Sequence, residues 1–163
     1  MTWQLRTADA DDLDAVMAIE HAVFANDAWS RASMRAELAS PHSFYLVAFP
    51  VGEPERIEAY AGLLAPRGSG QADIQSVAVV PSARRRGIAR TLVRTLVSEA
   101  RDRRAREVFL EVRADNPGAE SLYDSLGFER IAVRAGYYQP DNVDANVMRL
   151  TISDPKTSPA VGS

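Results

Sequence analysis

The segment Val77-Ala78-Val79-Val80-Pro81, followed closely by Arg84-Arg85-Arg86-Gly87-Ile88-Ala89, constrains the fold more than any other stretch of this chain. An apolar β-forming run ends at a proline and an apolar helix begins a few residues later, so a buried strand turns almost directly into a helix. The first amides of such a helix have no intrahelical acceptor, and with the positive end of the helix dipole they form an anion site. Gly87 leaves room for a phosphate to reach the backbone, and Ala89 keeps the next turn nearly as thin. Arg84, Arg85, Arg86 and Arg90 add positive charge. A solvated basic helix start is the plainer account, but strand, proline, arginines, glycine and helix in that order favour a pyrophosphate.

Two other phosphate-binding patterns fail. A Walker A loop needs Gly-Lys-Ser/Thr, whereas Ile88 follows Gly87 and the sole lysine is Lys156. A dinucleotide fingerprint needs three glycines and finds only Gly87. The net charge of −3 argues against a dedicated nucleic-acid binder, while nine arginines between Arg84 and Arg106 point to one local anionic ligand. Without cysteine there is no disulfide, thiolate metal site or cysteine nucleophile. Only His21 and His42 supply imidazole, so neither a histidine metal site nor a Ser-His triad is expected, and His21 reads as a surface residue. No metal is expected. With no signal peptide and no apolar run near 18 residues, the expectation is a soluble, cytoplasmic protein without a membrane partner.

The length of 163 residues suits one domain, expected over residues 1–152, followed by a polar, disordered tail at 153–163. A short strand around Leu5 precedes an amphipathic helix over Asp9 to Phe24, with Leu13, Val16, Met17 and Phe24 on one stripe. A break at Asn26 to Trp29 leads to a short helix capped by Ser30. Ser43 to Phe49, Glu58 to Leu64 and Asp73 to Val80 read as a three-stranded meander. The helix after Gly87 carries Ile88, Leu92, Leu96 and Ala100 along one row, with Ala89, Val93 and Val97 along the next. It crosses over to Val108–Arg113, a strand parallel to Asp73 to Val80. Asn116 caps a helix with Pro117 at its first position and Gly127 past its end, and Phe128 to Val133 and Ala145 to Leu150 complete the strands.

Glu111 interrupts an apolar strand, and its neighbours Leu110 and Val112 point to the other face. A carboxylate there is either ion-paired, with Arg113 or an arginine on a neighbouring element, or beside a ligand. Tyr123, between Leu122 and the turn at Leu126, reads from its position as a core tyrosine with a satisfied hydroxyl.

The spacing Arg84-x-x-Gly87-x-Ala89 resembles the acetyl-CoA pyrophosphate loop of the GNAT superfamily of N-acetyltransferases. Leu110-Glu111-Val112-Arg113, Asn116, Leu122-Tyr123, Leu126-Gly127-Phe128, Arg134, Tyr137-Tyr138, Asp144-Ala145 and Met148 are similar to the narrower RimI family, over residues 3–150. The resemblance implies a mixed α/β fold, a twisted sheet of about seven strands with helices on both faces. It further implies acetyl-CoA as co-substrate and, as acceptor, the N-terminal alanine of small-subunit ribosomal protein 18. Carried over residue by residue, the general base falls on Glu111 and the general acid on Tyr123. The cofactor falls on Arg84 to Arg90, on Asn116, and on the backbone of Val77, Ala78 and Val79 where two parallel strands part. The peptide falls on Trp29, Tyr137, Tyr138 and Asp144. Two departures touch the peptide side: Ala28 stands before Trp29 where the family commonly has proline, and Asn142-Val143-Asp144 replaces a Gly-Glu-Asp-like run.

Elementary acid–base chemistry fits these roles. An α-amine with a pKa near 7.7 is about one-sixth unprotonated at pH 7, against about 0.04% for a lysine near 10.4. A carboxylate working through water removes the remaining proton, a phenol protonates the departing thiolate, and backbone amides near Val77 to Val79 stabilise the oxyanion. Two alternatives remain at this point. One is a related enzyme acting on a small amine or a lysine; the other is a non-catalytic CoA sensor, which would need neither Glu111 nor Tyr123.

Overall fold

The computed structural model describes residues 2–24, 27–84 and 87–152. Its elements in chain order are β1 (Trp3–Thr7), α1 (Leu13–Val23), α2 (Arg31–Ala39), β2 (Ser43–Pro50), β3 (Ala59–Leu64), β4 (Gln71–Val79), α3 (Ile88–Asp102), β5 (Glu107–Arg113), α4 (Pro117–Ser125), β6 (Glu129–Tyr138) and β7 (Val143–Thr151). Single 3₁₀ turns stand at Ala10–Asp12 and Pro81–Ala83. The strands form one seven-stranded sheet in the order β1-β2-β3-β4-β5-β7-β6. The chain divides into two compact units, Met1–Leu64 with Ile74–Leu96 and Ala65–Asp73 with Val97–Ser163. The segment 153–163, Asn26, Arg85 and Arg86 lie outside the described residues.

In the first unit β1, β2 and β3 pair antiparallel, with Leu5 opposite Ala48 and Tyr45 opposite Gly62. The first turn of the expected Asp9 helix is 3₁₀ rather than α. Asp9 accepts the Asp11 amide at 2.9 Å, and Asp12 returns the favour by accepting the Asp9 amide at 2.9 Å. Asp12 is buried, and the Arg6 guanidinium that grips both its oxygens at 2.8 and 2.9 Å holds its carboxyl below the usual range. Val16, Met34, Val47 and Tyr60 form the centre of this unit's core.

In the second unit β5 pairs along its full length with β7, from Glu107 opposite Thr151 to Arg113 opposite Ala145. Its parallel pairing with β4 sets Gln71 opposite Glu107, Ala72 opposite Val108 and Asp73 opposite Phe109. Asn116 caps α4 by accepting the Ala119 amide at 3.2 Å, and Pro117 follows at its first position. Past the helix end, Gly127 takes φ +101° while the Phe128 amide returns to the Tyr123 carbonyl at 3.0 Å, the left-handed exit that glycine permits. One strand runs longer than its sequence suggested. β6 continues past Val133 to Tyr138 because irregular pairing with β7 between Arg134 and Tyr138 carries it through Gly136 at φ +60°.

The ring of Tyr45 lies across Gly62, where an added Cβ would stand 2.2 Å from ring carbons. Gly62→Ala therefore displaces a buried ring that also stacks on Tyr60, centroids 6.4 Å apart. Overpacking of this kind costs about 1–3 kcal/mol, which for a chain of this length lowers Tm by about 3–10 °C, read by calorimetry. An unchanged Tm would mean that Tyr45 swings away without loss of packing.

Candidate active site

The turn into α3 and the acidic residues of β5 fall in different compact units, and each is built by its own local chemistry. In the first unit β4 ends at Val79, and the Pro81–Ala83 turn delivers the chain to Gly87. Gly87 has φ +78°, a left-handed conformation that side chains resist, and a Cβ built there would meet no heavy atom within 4 Å. Conformation rather than crowding thus demands glycine, and the space beside its backbone is open. The Thr91 amide and hydroxyl both return to the Gly87 carbonyl at 3.1 Å, starting the helix. Ile88, Leu92, Leu96 and Ala100 are buried along one row as the spacing required. Arg84 bends back, its Nε donating to the Val79 carbonyl at 2.9 Å, so it ties the strand end to the turn.

Trp29, half-buried, is held by its backbone. Its amide donates to Glu20 Oε2 at 2.8 Å. Glu20 is only 1% exposed, and its other oxygen accepts the Tyr60 hydroxyl, whose pKa is driven up by burial and by this carboxylate. Sequence reading missed Glu20, although its place on the stripe of Leu13, Val16 and Met17 signalled a carboxylate turned inward.

In the second unit Val108, Leu110 and Val112 are buried while Phe109, Glu111 and Arg113 occupy the opposite, half-buried face. Glu111 Oε2 lies 2.7 Å from Arg134 Nε, so its ion partner is an arginine on β6, one strand beyond β7, rather than Arg113. The Tyr137 hydroxyl also donates to Glu111, which raises the phenol's pKa, and the Arg134 guanidinium carbon stands 5.5 Å from the Tyr137 ring centre. Asp73 faces the same side, and its carboxyl is shifted up by burial and then by the charge of Glu111. The remaining expected peptide contacts have visible local partners. Tyr138 packs under Arg113, which is bound to Asp115 and Asp141 at 3.0 Å each, and Asp144 accepts the Gly136 amide at 2.8 Å. Asn116 caps α4 and Tyr123 lies within it. Tyr123 is 8% exposed, meets Phe128 edge-on at 5.9 Å, and burial lifts its pKa to about 12. The structure thus brings Glu111, Arg134, Tyr137 and Asp73 together, and the contact of Tyr137 with Glu111 was not expected. Among the described residues no cluster of three or more His, Cys, Asp or Glu side chains is disposed to hold a metal, and no helix is long and apolar enough to cross a membrane.

Comparison with known proteins follows the same lines. The model of the acetyltransferase (GNAT) family matches residues 13–128. The N-alpha-acetyltransferase RimI of Mycobacterium tuberculosis is 38% identical over 132 residues, covering 80% of each chain. The crystal structure of the ribosomal-protein-S18-alanine N-acetyltransferase from Escherichia coli is similar with a TM-score of 0.82 at 27% identity, covering 99% of both chains. Arabidopsis thaliana NAA60, solved in complex with acetyl-CoA, shares the fold with a TM-score of 0.82 at 20% identity over 93% of this chain and 99% of that one.

The buried phenols predict alkaline sensitivity. Tyr123 keeps its proton in the folded state up to about 12 but loses it near 10 when unfolded. Its contribution is therefore intact below pH 10 and falls away between pH 10 and about 12, by about 1.4 kcal/mol at pH 11. Tyr45 and Tyr60, also shifted upward by burial, act in the same direction. Thermal unfolding at pH 9 and pH 11 should show a smaller loss in Tyr123→Phe than in the parent; equal losses would remove Tyr123 from the account.

Proposed function

The chain belongs to the acetyltransferase (GNAT) family as an N-acetyltransferase of the RimI type, and we propose that it acetylates the N-terminal alanine of ribosomal protein S18 with Glu111 as general base. The observation that carries this reading is the carboxylate of Glu111 on the half-buried face of β5, surrounded by groups suited to a cation. The substrate names of the relatives, a RimI N-alpha-acetyltransferase and an S18-alanine N-acetyltransferase, favour an α-amine over a lysine or a small amine.

The residues fit a CoA thioester. The open backbone at Gly87, the unpaired amides expected in the first turn of α3, and Arg90 within it suit a pyrophosphate. Asn116, whose side chain already caps α4, is kept as a further expected cofactor contact, and the backbone of Val77–Val79 is read as the pantetheine rail. Bound acetyl-CoA supplies the activated acetyl group.

Glu111 takes a proton from the α-ammonium, directly or through one water, and passes it on to solvent; the free amine attacks the thioester carbonyl, and the second N–H proton leaves to water as the C–S bond breaks and CoA departs as the thiolate. Tyr123 donates to the sulfur as the carbon–sulfur bond breaks. Burial guarantees that this phenol carries its proton at neutral pH, but it also sets a limit. Complete transfer from a phenol at about 12 to a free thiolate near 8.5 is uphill by about 5 kcal/mol. Tyr123 therefore works as a hydrogen-bond donor to developing charge, a smaller effect than full protonation.

Steady-state assays with acetyl-CoA and a peptide panel test the proposal: the S18 N-terminus, an N-blocked lysine peptide and small amines. The S18 peptide should have the highest kcat/KM, and a higher value for the lysine peptide would assign a different acceptor. Glu111→Gln should reduce turnover roughly 10²-fold with little change in acetyl-CoA affinity. Activity near the parental level at pH 7 would place proton removal elsewhere. Gly87→Glu, which introduces negative charge and a side chain at φ +78°, should abolish stabilisation by acetyl-CoA, and a retained Kd would sink the pyrophosphate assignment.

A further inference from the structure

The groups around Glu111 form a seat for a cation, and a residue of the chain itself is sitting in it. In a regular strand Arg134 and Tyr137 would point to opposite faces, since an odd separation reverses the side chain. The irregularity of β6 between Arg134 and Tyr138, passing through Gly136 at φ +60°, brings both onto Glu111. The guanidinium touches a carboxylate oxygen at 2.7 Å and lies 5.5 Å from an aromatic ring centre. A carboxylate beside an aromatic face is also what an ammonium ion requires.

We propose that Arg134 is an internal stand-in for the acceptor's ammonium group, occupying the Glu111–Tyr137 seat until a protonated N-terminus displaces it. This inference rests on the reading of Glu111 as the base.

Charge explains why the seat is filled. Glu111 is 27% exposed and faces Asp73 from β4, so two carboxylates share one side of the sheet and need a cation between displacements. Arg113, on β5 itself, is engaged by Asp115 and Asp141, and Val147 stands opposite on β7. Arg134 from β6 meets the need. Exposure explains why the seat can be vacated. Arg134 is 59% exposed on an edge strand, where an ion pair contributes little net stability, and its long stem can swing into water. Exchange of one cation for another conserves local charge. A blocked, uncharged N-terminus offers no such exchange, so the device selects for a free amine.

The test is Arg134→Met, assayed with the S18 N-terminal peptide. Removing the competitor should lower the peptide KM by about fivefold, the weight of an exposed ion pair, and raise kcat/KM. Arg134→Lys, which retains a cation, should keep the parental KM. Methylguanidinium should inhibit competitively with peptide, and more strongly in Arg134→Met than in the parent. Acetyl-CoA Kd, measured in parallel, verifies that the variant is folded. A peptide KM that is unchanged or higher in Arg134→Met overturns the proposal, the higher value marking Arg134 as a clamp on Glu111. Glu111→Gln separates the two readings. If it lowers turnover while Arg134→Met leaves KM alone, only the stand-in fails; if it is fully active, the assignment of the base fails first.

Discussion

Along β5 a pleated backbone sends Val108, Leu110 and Val112 into the core and turns Phe109, Glu111 and Arg113 to the opposite face, and the chemistry of the second unit depends on that alternation. A slip of one residue would bury the glutamate among aliphatic side chains and turn Val108, Leu110 and Val112 outward. The ladder with β7, continuous from Glu107 to Arg113, prevents such a slip. The strand that supplies packing is thus also the strand that aims the carboxylate.

Two glutamates show how differently the fold handles negative charge. Glu20 is sealed from water and receives neutral donors, the Tyr60 hydroxyl and the Trp29 amide, each committed to holding elements of the first unit in place. Removing either partner would leave a buried carboxylate undersatisfied, a cost that makes this network structural. Glu111 remains in partial contact with solvent and receives the exposed Arg134 guanidinium and a surface phenol. The first arrangement holds elements in place, and the second leaves the carboxylate open to water.

Local signals made much of this legible. Strand, proline, glycine and helix around Gly87, the alternation of β5, and the Asn116-Pro117 start and Gly127 stop of α4 all follow from chain chemistry within a few residues. What escaped is non-local or breaks a period. Glu20 sits visibly on its helix stripe, but its partner Tyr60 is 40 residues away, so no window around α1 reveals why a carboxylate points inward. Tyr137 could not be joined to Glu111 by counting, because strand parity with Arg134 holds only until the irregularity near Gly136. The same irregularity hid the last half of β6. Arg84 was read as one of four charges for an anion, and only coordinates reveal that its Nε is engaged by the Val79 carbonyl.

Because Glu20 grips the amide of residue 29 rather than its indole, the loop between α1 and α2 is anchored through an atom that nineteen of the twenty amino acids share. Only proline at that position would release it. The neighbouring position carries no such restriction, so alanine at 28 in place of the family's common proline leaves the anchor intact. The side chain at position 29 can therefore be exchanged while the backbone hold on Glu20 stays the same, so this anchor leaves the surface chemistry of that residue unconstrained.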